Sequence, residues 1–177
     1  MPNIDMSVFQ KLLALMVLKS APQDLPYSPQ LTMQLAIAYI LSGIVVLRTT
    51  LNPDDMLAGI ILGFIVQYGF TYFVLRALNR AARFMQTFCA ILGAGLFFNL
   101  VSWPIFSVLT DEAISEALKS SVSLAFLLVI SWEVLVKAHI FRHALQVKMV
   151  SALALSFSLF FISVALSQLF FPVEGVN

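Results

Sequence analysis

Apolar residues fall in five long blocks separated by short polar ones, and this alternation dominates the 177-residue chain. The blocks are Leu31–Leu47, Met56–Leu75, Phe84–Leu109, Ser121–Phe141 and Met149–Phe171. A helix needs about 20 apolar residues to cross about 30 Å of hydrocarbon. In lipid the backbone must satisfy its own polar groups, so each block predicts a transmembrane helix. The first extends back to Pro29, because Ser28 is a good N-cap and proline at the first helical position forfeits no intrahelical bond. Asn52 and Pro53 open the second in the same way, with Asp54 and Asp55 at the positive end of its dipole. In the third, Trp103-Pro104 predicts a kink or an exit into the interface. Pro172 stops the fifth.

Residues Ile4–Lys19 are too few to span. Wound as a helix they gather Ser7, Gln10, Lys11 and Ala14 into one narrow stripe on a mainly apolar circumference, which suits a helix lying in the interface with Lys11 toward phosphates. A rival reading is a signal peptide with Leu12–Leu18 as its apolar region and Ser20-Ala21 as its cleavage site, although Asp5 disturbs the basic leader. Pro22, Pro26 and Pro29 follow. They remove donors and bias their predecessors to extended geometry, so they break one continuous helix into an elbow. Asp24 is expected to pair with a loop arginine or to cap a helix, and Tyr27 suits the headgroup level. The expected fold is all-α: an interfacial amphipathic helix (residues 1–21), an elbow (22–30), a five-helix transmembrane bundle (31–172) and a short extracytoplasmic tail (173–177).

Composition agrees with a membrane protein. Hydrophobic residues make up 60% and charged residues 11%, against roughly a quarter charged in soluble chains, and mean hydropathy is +0.96. A net charge of +1 with no dense basic run excludes a nucleic-acid footprint. Eight of the ten Lys and Arg residues fall on one side of the map: Lys11, Lys19, Arg76, Arg80, Arg83, Lys137, Arg142 and Lys148. Arg48 and Lys119 lie on the other, with Asp54, Asp55, Asp111, Glu112, Glu116 and Glu174. The retention of positive charge inside makes the N-terminus cytoplasmic and the C-terminus extracytoplasmic. Cys89 stands alone in an apolar run as a small packing residue.

Few residues carry chemistry. Gly59, Gly63, Gln67 and Thr71 form one line at four-residue steps, and Ala152, Ser156, Ser163 and Ser167 form another, with Gly93 and Gly95 thinning the third span. Small residues permit close helix approach in lipid, so bundle packing is expected of them. Asn99 is the polar residue nearest the middle of the third span, and Glu133 is the one carboxylate inside a span. An intramembrane acid is costly enough to suggest a functional site, but Lys137 follows at i+4 and the pair can also snorkel to the interface. Arg76, Arg80, Arg83, His139, Arg142, His143 and Lys148 would together form a cytoplasmic basic face suited to anionic headgroups. His139 and His143 share a helix face but have no third ligand, so no metal is expected. No nucleophile stands with a base, so neither an enzyme nor a cofactor is expected.

Asp24-Leu25-Pro26-Tyr27-Ser28-Pro29, just before the first span, resembles the Asp-Leu-Tyr-Gly-Pro motif of the Yip family of Rab/Ypt-interacting membrane proteins, with one residue inserted and the glycine absent. That family has five spans, a cytoplasmic N-terminus and a short extracytoplasmic C-terminus. The long cytoplasmic tail of its eukaryotic members is missing, so the resemblance implies a compact bacterial-type relative in an inner membrane. Two functions are expected. The first is a non-enzymatic scaffold or accessory subunit that binds membrane lipids, a partner membrane protein or a second copy of itself through the basic face. The alternative is a small transporter or channel, which would require Glu133, Gln67 and Asn99 to face one shared water-filled cavity.

Overall fold

The computed structural model describes residues 7–50 and 55–171. Among them are six α-helices: α1 (Val8–Met16), α2 (Pro29–Thr50), α3 (Met56–Ala77), α4 (Phe84–Thr110), α5 (Glu116–Leu145) and α6 (Met149–Phe170). The last five are long and apolar enough to cross a membrane, which is consistent with an integral membrane protein. They correspond to the five apolar blocks. Ser28 Oγ accepts from Leu31 N and opens α2 at Pro29, as its sequence suggests. The expectations for Asn52, Pro53, Asp54, Pro172 and the tail lie outside the described residues. Several intramembrane hydroxyls are satisfied within their own helices: Ser131, Ser158 and Ser163 each donate to the carbonyl four residues back.

Pro104 lies inside α4, which continues as helix to Thr110. Trp103 Nε1 donates to Thr49 Oγ1 at 2.9 Å, which ties this stretch of α4 to the end of α2.

One end of the bundle gathers the elbow, the α3–α4 connection and the α5–α6 connection. Gln86 Nε2 donates to the Gln23 and Leu25 carbonyls, Gln23 Nε2 donates to His143 O, and Arg83 Nη1 donates to Ala144 O. This elbow end holds most of the core, with Leu75, Val136, Ile140, Phe141 and Ala144 fully buried. α2 packs on α4, α4 on α5, α5 on α6, α6 on α3, and α3 back on α2, so the five spans close a ring. Aromatic side chains shut the ring at the elbow end. Phe64, Tyr68 and Tyr72 of α3 meet Phe84 and Phe88 of α4, and Phe70 meets Phe141 of α5, with centroids 5.1 to 5.9 Å apart.

α1 forms where the pattern places a helix, and both arms of a capping box are made, from Gln10 N to Ser7 Oγ and from Ser7 N to Gln10 Oε1. It packs against the bundle. Leu12 seats against Gly93, Leu15 and Met16 are buried, and Trp132 Nε1 donates to Met16 O at 2.9 Å. Gly93 lies about 14 Å along α4 from Phe84, and Trp132 about 20 Å along α5 from Leu145, at 1.5 Å per residue. The outer face of α1 exposes Phe9, Leu13 and Val17.

The glycines divide. A Cβ built on Gly93 would come within 2.5 Å of Leu12 Cδ2, and one on Gly95 within 2.7 Å of Tyr39 Cε2, so both are packing positions. Gly59 and Gly63 are not. A Cβ on either meets nothing within 4 Å, because their face of α3 looks into the ring.

Candidate functional site

Polar side chains from all five spans point into the space the ring encloses. Tyr39, midway along α2, receives a hydrogen bond at 2.8 Å from Nε2 of Gln67, midway along α3. Asn99 of α4 donates to Ser42 Oγ at 2.9 Å and to Tyr39 O at 3.4 Å. On α5, Glu133 Oε1 lies 2.6 Å from Lys137 Nζ, with side-chain exposures of 30% and 14%. Ser156 of α6 is buried and donates to Val134 O at 2.8 Å, fastening α6 to α5 beside the pair.

Two cavities occupy the space. One of about 340 Å³ is lined by Tyr39, Gln67, Glu133, Lys137 and Ser163, among others. The second, about 510 Å³, has Asn99 in its wall and reaches Asp55 and Phe171 at the end of the bundle remote from the elbow. Tyr39, Gly59, Gly63 and Ser167 line both, so the two adjoin as one lumen. Glu133 and Gln67 therefore share a cavity, and Asn99 lies in its continuation. The Glu133–Lys137 pair lines this cavity.

Two polar atoms here have no partner. Gln67 is only 7% exposed, yet its Oε1 accepts no hydrogen bond, and neither does Thr71 Oγ1 one turn nearer the elbow. Buried polar groups are nearly always paired, so such atoms mark a place where something else binds or water enters. Tyr39 was not singled out from the sequence. Its signal was depth, since membrane tyrosines concentrate at the interfaces and this one stands mid-span.

The expected basic face assembles only in part. Arg83, Arg142 and His143 line a groove of about 380 Å³ with Gln23 and Gln146. Arg83 Nη1 is also committed to the His143 and Ala144 carbonyls at 3.2 and 2.9 Å, where it closes the C-terminus of α5. Arg76 turns to Tyr72, donating to its hydroxyl at 3.0 Å, while Arg80 and Lys148 lie outside the groove. His139 does not belong to the surface. It is buried, its Nε2 is 2.9 Å from Ser20 O, and its ring lies 4.5 Å from that of His143.

In the elbow, Asp24 Oδ2 accepts from Ala21 N at 2.7 Å and Ser20 Oγ at 3.0 Å, capping the short 3-10 turn Pro22–Asp24 rather than pairing with an arginine. Pro26, Tyr27 and Pro29 are exposed. Among the described residues no group of three His, Cys, Asp or Glu side chains is placed to hold a metal ion. Comparison with family models, curated proteins and solved structures gives no match to this chain.

Proposed function

We propose that the chain is a non-enzymatic membrane protein of the transporter or channel class, whose lumen admits water and a small polar solute from the end marked by Asp55. The observation that carries this is the lining: Glu133, Lys137 and Gln67 surround one cavity, and Asn99 stands in its continuation. Packing alone would not leave Gly59 and Gly63 facing open space, since small residues in lipid are normally filled by a neighbouring helix. The lysine and arginine count supports a cytoplasmic elbow end and an extracytoplasmic lumen mouth.

Single cysteines at Gly63 and Ser163, in a Cys89→Ala background, test the proposal with a membrane-impermeant thiol reagent. Both should react, and only when the reagent is added on the Asp55 side. Unreactive cysteines at both positions would overturn a water-filled lumen.

The groove of Arg83, Arg142 and His143 favours a second reading, a scaffold that binds lipid headgroups or a partner membrane protein at the elbow end. The Yip-like Asp24–Pro29 segment belongs with this reading. Arg142→Gln should then reduce the anionic lipid retained through purification, and unchanged retention would remove its support.

A further inference from the structure

Within the lumen, the geometry points to a binding site for a small zwitterion bearing N–H donors, of the kind represented by an α-amino acid, between the Glu133–Lys137 pair and the Gln67 carbonyl oxygen. The inference rests on the proposed water-filled lumen and adds the ligand's chemistry to it.

Charge is the first constraint. Glu133 and Lys137 sit 2.6 Å apart and cancel, so the empty site is formally neutral. A lone cation or anion entering it would leave one net charge in a space walled by apolar helices, where uncompensated charge is expensive. A zwitterion leaves none. Its cationic end can take the Glu133 carboxylate and its anionic end the Lys137 ammonium, and each protein charge keeps an opposite partner throughout.

Hydrogen bonding is the second. In the structure Gln67 Nε2 donates to the Tyr39 hydroxyl, and this arrangement leaves Oε1 as an acceptor. It is buried, lines the same cavity and has no donor. An ammonium group supplies that donor, whereas a quaternary nitrogen cannot. The Tyr39 hydroxyl, accepting from Gln67, keeps its own proton to donate toward a carboxylate. Size is the third constraint, because about 340 Å³ lies at the small end of the 300–1,000 Å³ typical of ligand pockets.

The test is thermal stability of the purified full-length protein in detergent, titrated with four probes that separate these constraints. L-alanine is a zwitterion with N–H donors, glycine betaine a zwitterion without them, ethylammonium a cation and acetate an anion. Alanine should raise Tm in a saturable way, with the other three at least tenfold weaker. Gln67→Leu and Glu133→Gln should each weaken alanine binding at least tenfold. Gln67→Leu removes the orphaned acceptor together with the donor to the Tyr39 hydroxyl, so its unliganded Tm should fall modestly, and its loss of the alanine-dependent rise, read against that baseline, keeps the test decisive if Glu133→Gln is poorly expressed. Equal effects of betaine, ethylammonium or acetate would overturn the inference. So would no alanine effect in a protein whose Ser163→Cys variant reacts with the thiol reagent, a result that leaves the lumen standing. Loss of that labelling as well would remove both.

Discussion

A methyl group added at Gly95 and one added at Gly63 meet opposite surroundings. At Gly95 it would lie 2.7 and 2.9 Å from two atoms of the Tyr39 ring, and that ring is held by its bond to Gln67 and cannot swing away cheaply. Gly95→Ala should therefore cost about 1–3 kcal/mol, as overpacking does, measurable as a lower Tm in detergent. Gly63→Leu should change stability by about 0.5 kcal/mol or less, since its side chain enters the lumen, but it should block thiol labelling at Ser163. A marked fall in Tm for Gly63→Leu would restore the packing role that its spacing suggests. The four-residue line of small residues was legible in the sequence as a special face. What it faces was not, because that depends on how α2 and α6 are placed across the ring. Glu133 was legible too, as a carboxylate inside a span, but its direction was hidden. The i+4 lysine allowed it to point outward, and only the position of Tyr39 and Gln67 shows an interior to turn toward.

At the scale of elements, hydrophobic spacing identifies the spans well because each must hide an entire backbone in lipid regardless of its neighbours. α1 is different. Its helicity follows from its own residues, Ser7 and Gln10 included, whereas its seat on the bundle is set by partners distant in sequence: a hollow at Gly93 and an indole donor at Trp132. Leu15→Ala should cost about 2–5 kcal/mol, since Leu15 is fully buried against the bundle and the change leaves a cavity. A stability change below about 0.5 kcal/mol would return α1 to the interface. The end of α5 is likewise held by another element. Gln146 takes a left-handed φ of 60° after the last turn, and Arg83 satisfies the final carbonyls from across the elbow end. Arg83→Gln should lower stability by about 1.5–3 kcal/mol, the range for hydrogen bonds to charged groups. Arg76→Gln, at an exposed position, should cost about 0.5 kcal/mol or less. Equal losses from the two variants, read by thermal unfolding, would show that Arg83 acts as surface charge and not as a cap.

For the whole molecule, the uneven packing along the bundle and the uneven charge at its ends bear on one question, namely which way the lumen opens. Fully buried side chains crowd the elbow end, while the lumen widens toward Asp55 and Phe171. α5 contains 30 residues, about 45 Å of helix against about 30 Å of hydrocarbon, and its first residues from Glu116 to Leu118 are exposed. α5 is thus longer than one crossing of the hydrocarbon requires, and its first residues lie near Asp111 and Glu112. Lys19, Arg76, Arg80, Arg83, Arg142 and Lys148 all sit at the elbow end, which the proposed orientation takes as cytoplasmic, with the mouth outside the cell. Single cysteines at Asp55 and Asp111 should react with an impermeant reagent on intact cells, and those at Arg80 and Gln146 only after the membrane is opened. Ser163 should follow the first pair despite lying within α6, because water reaches it through the mouth. Labelling of Arg80 together with Asp55 on intact cells would defeat the spanning map. Labelling of the Arg80 and Gln146 pair alone would keep the map and invert the protein, leaving the lumen open to the cytoplasm.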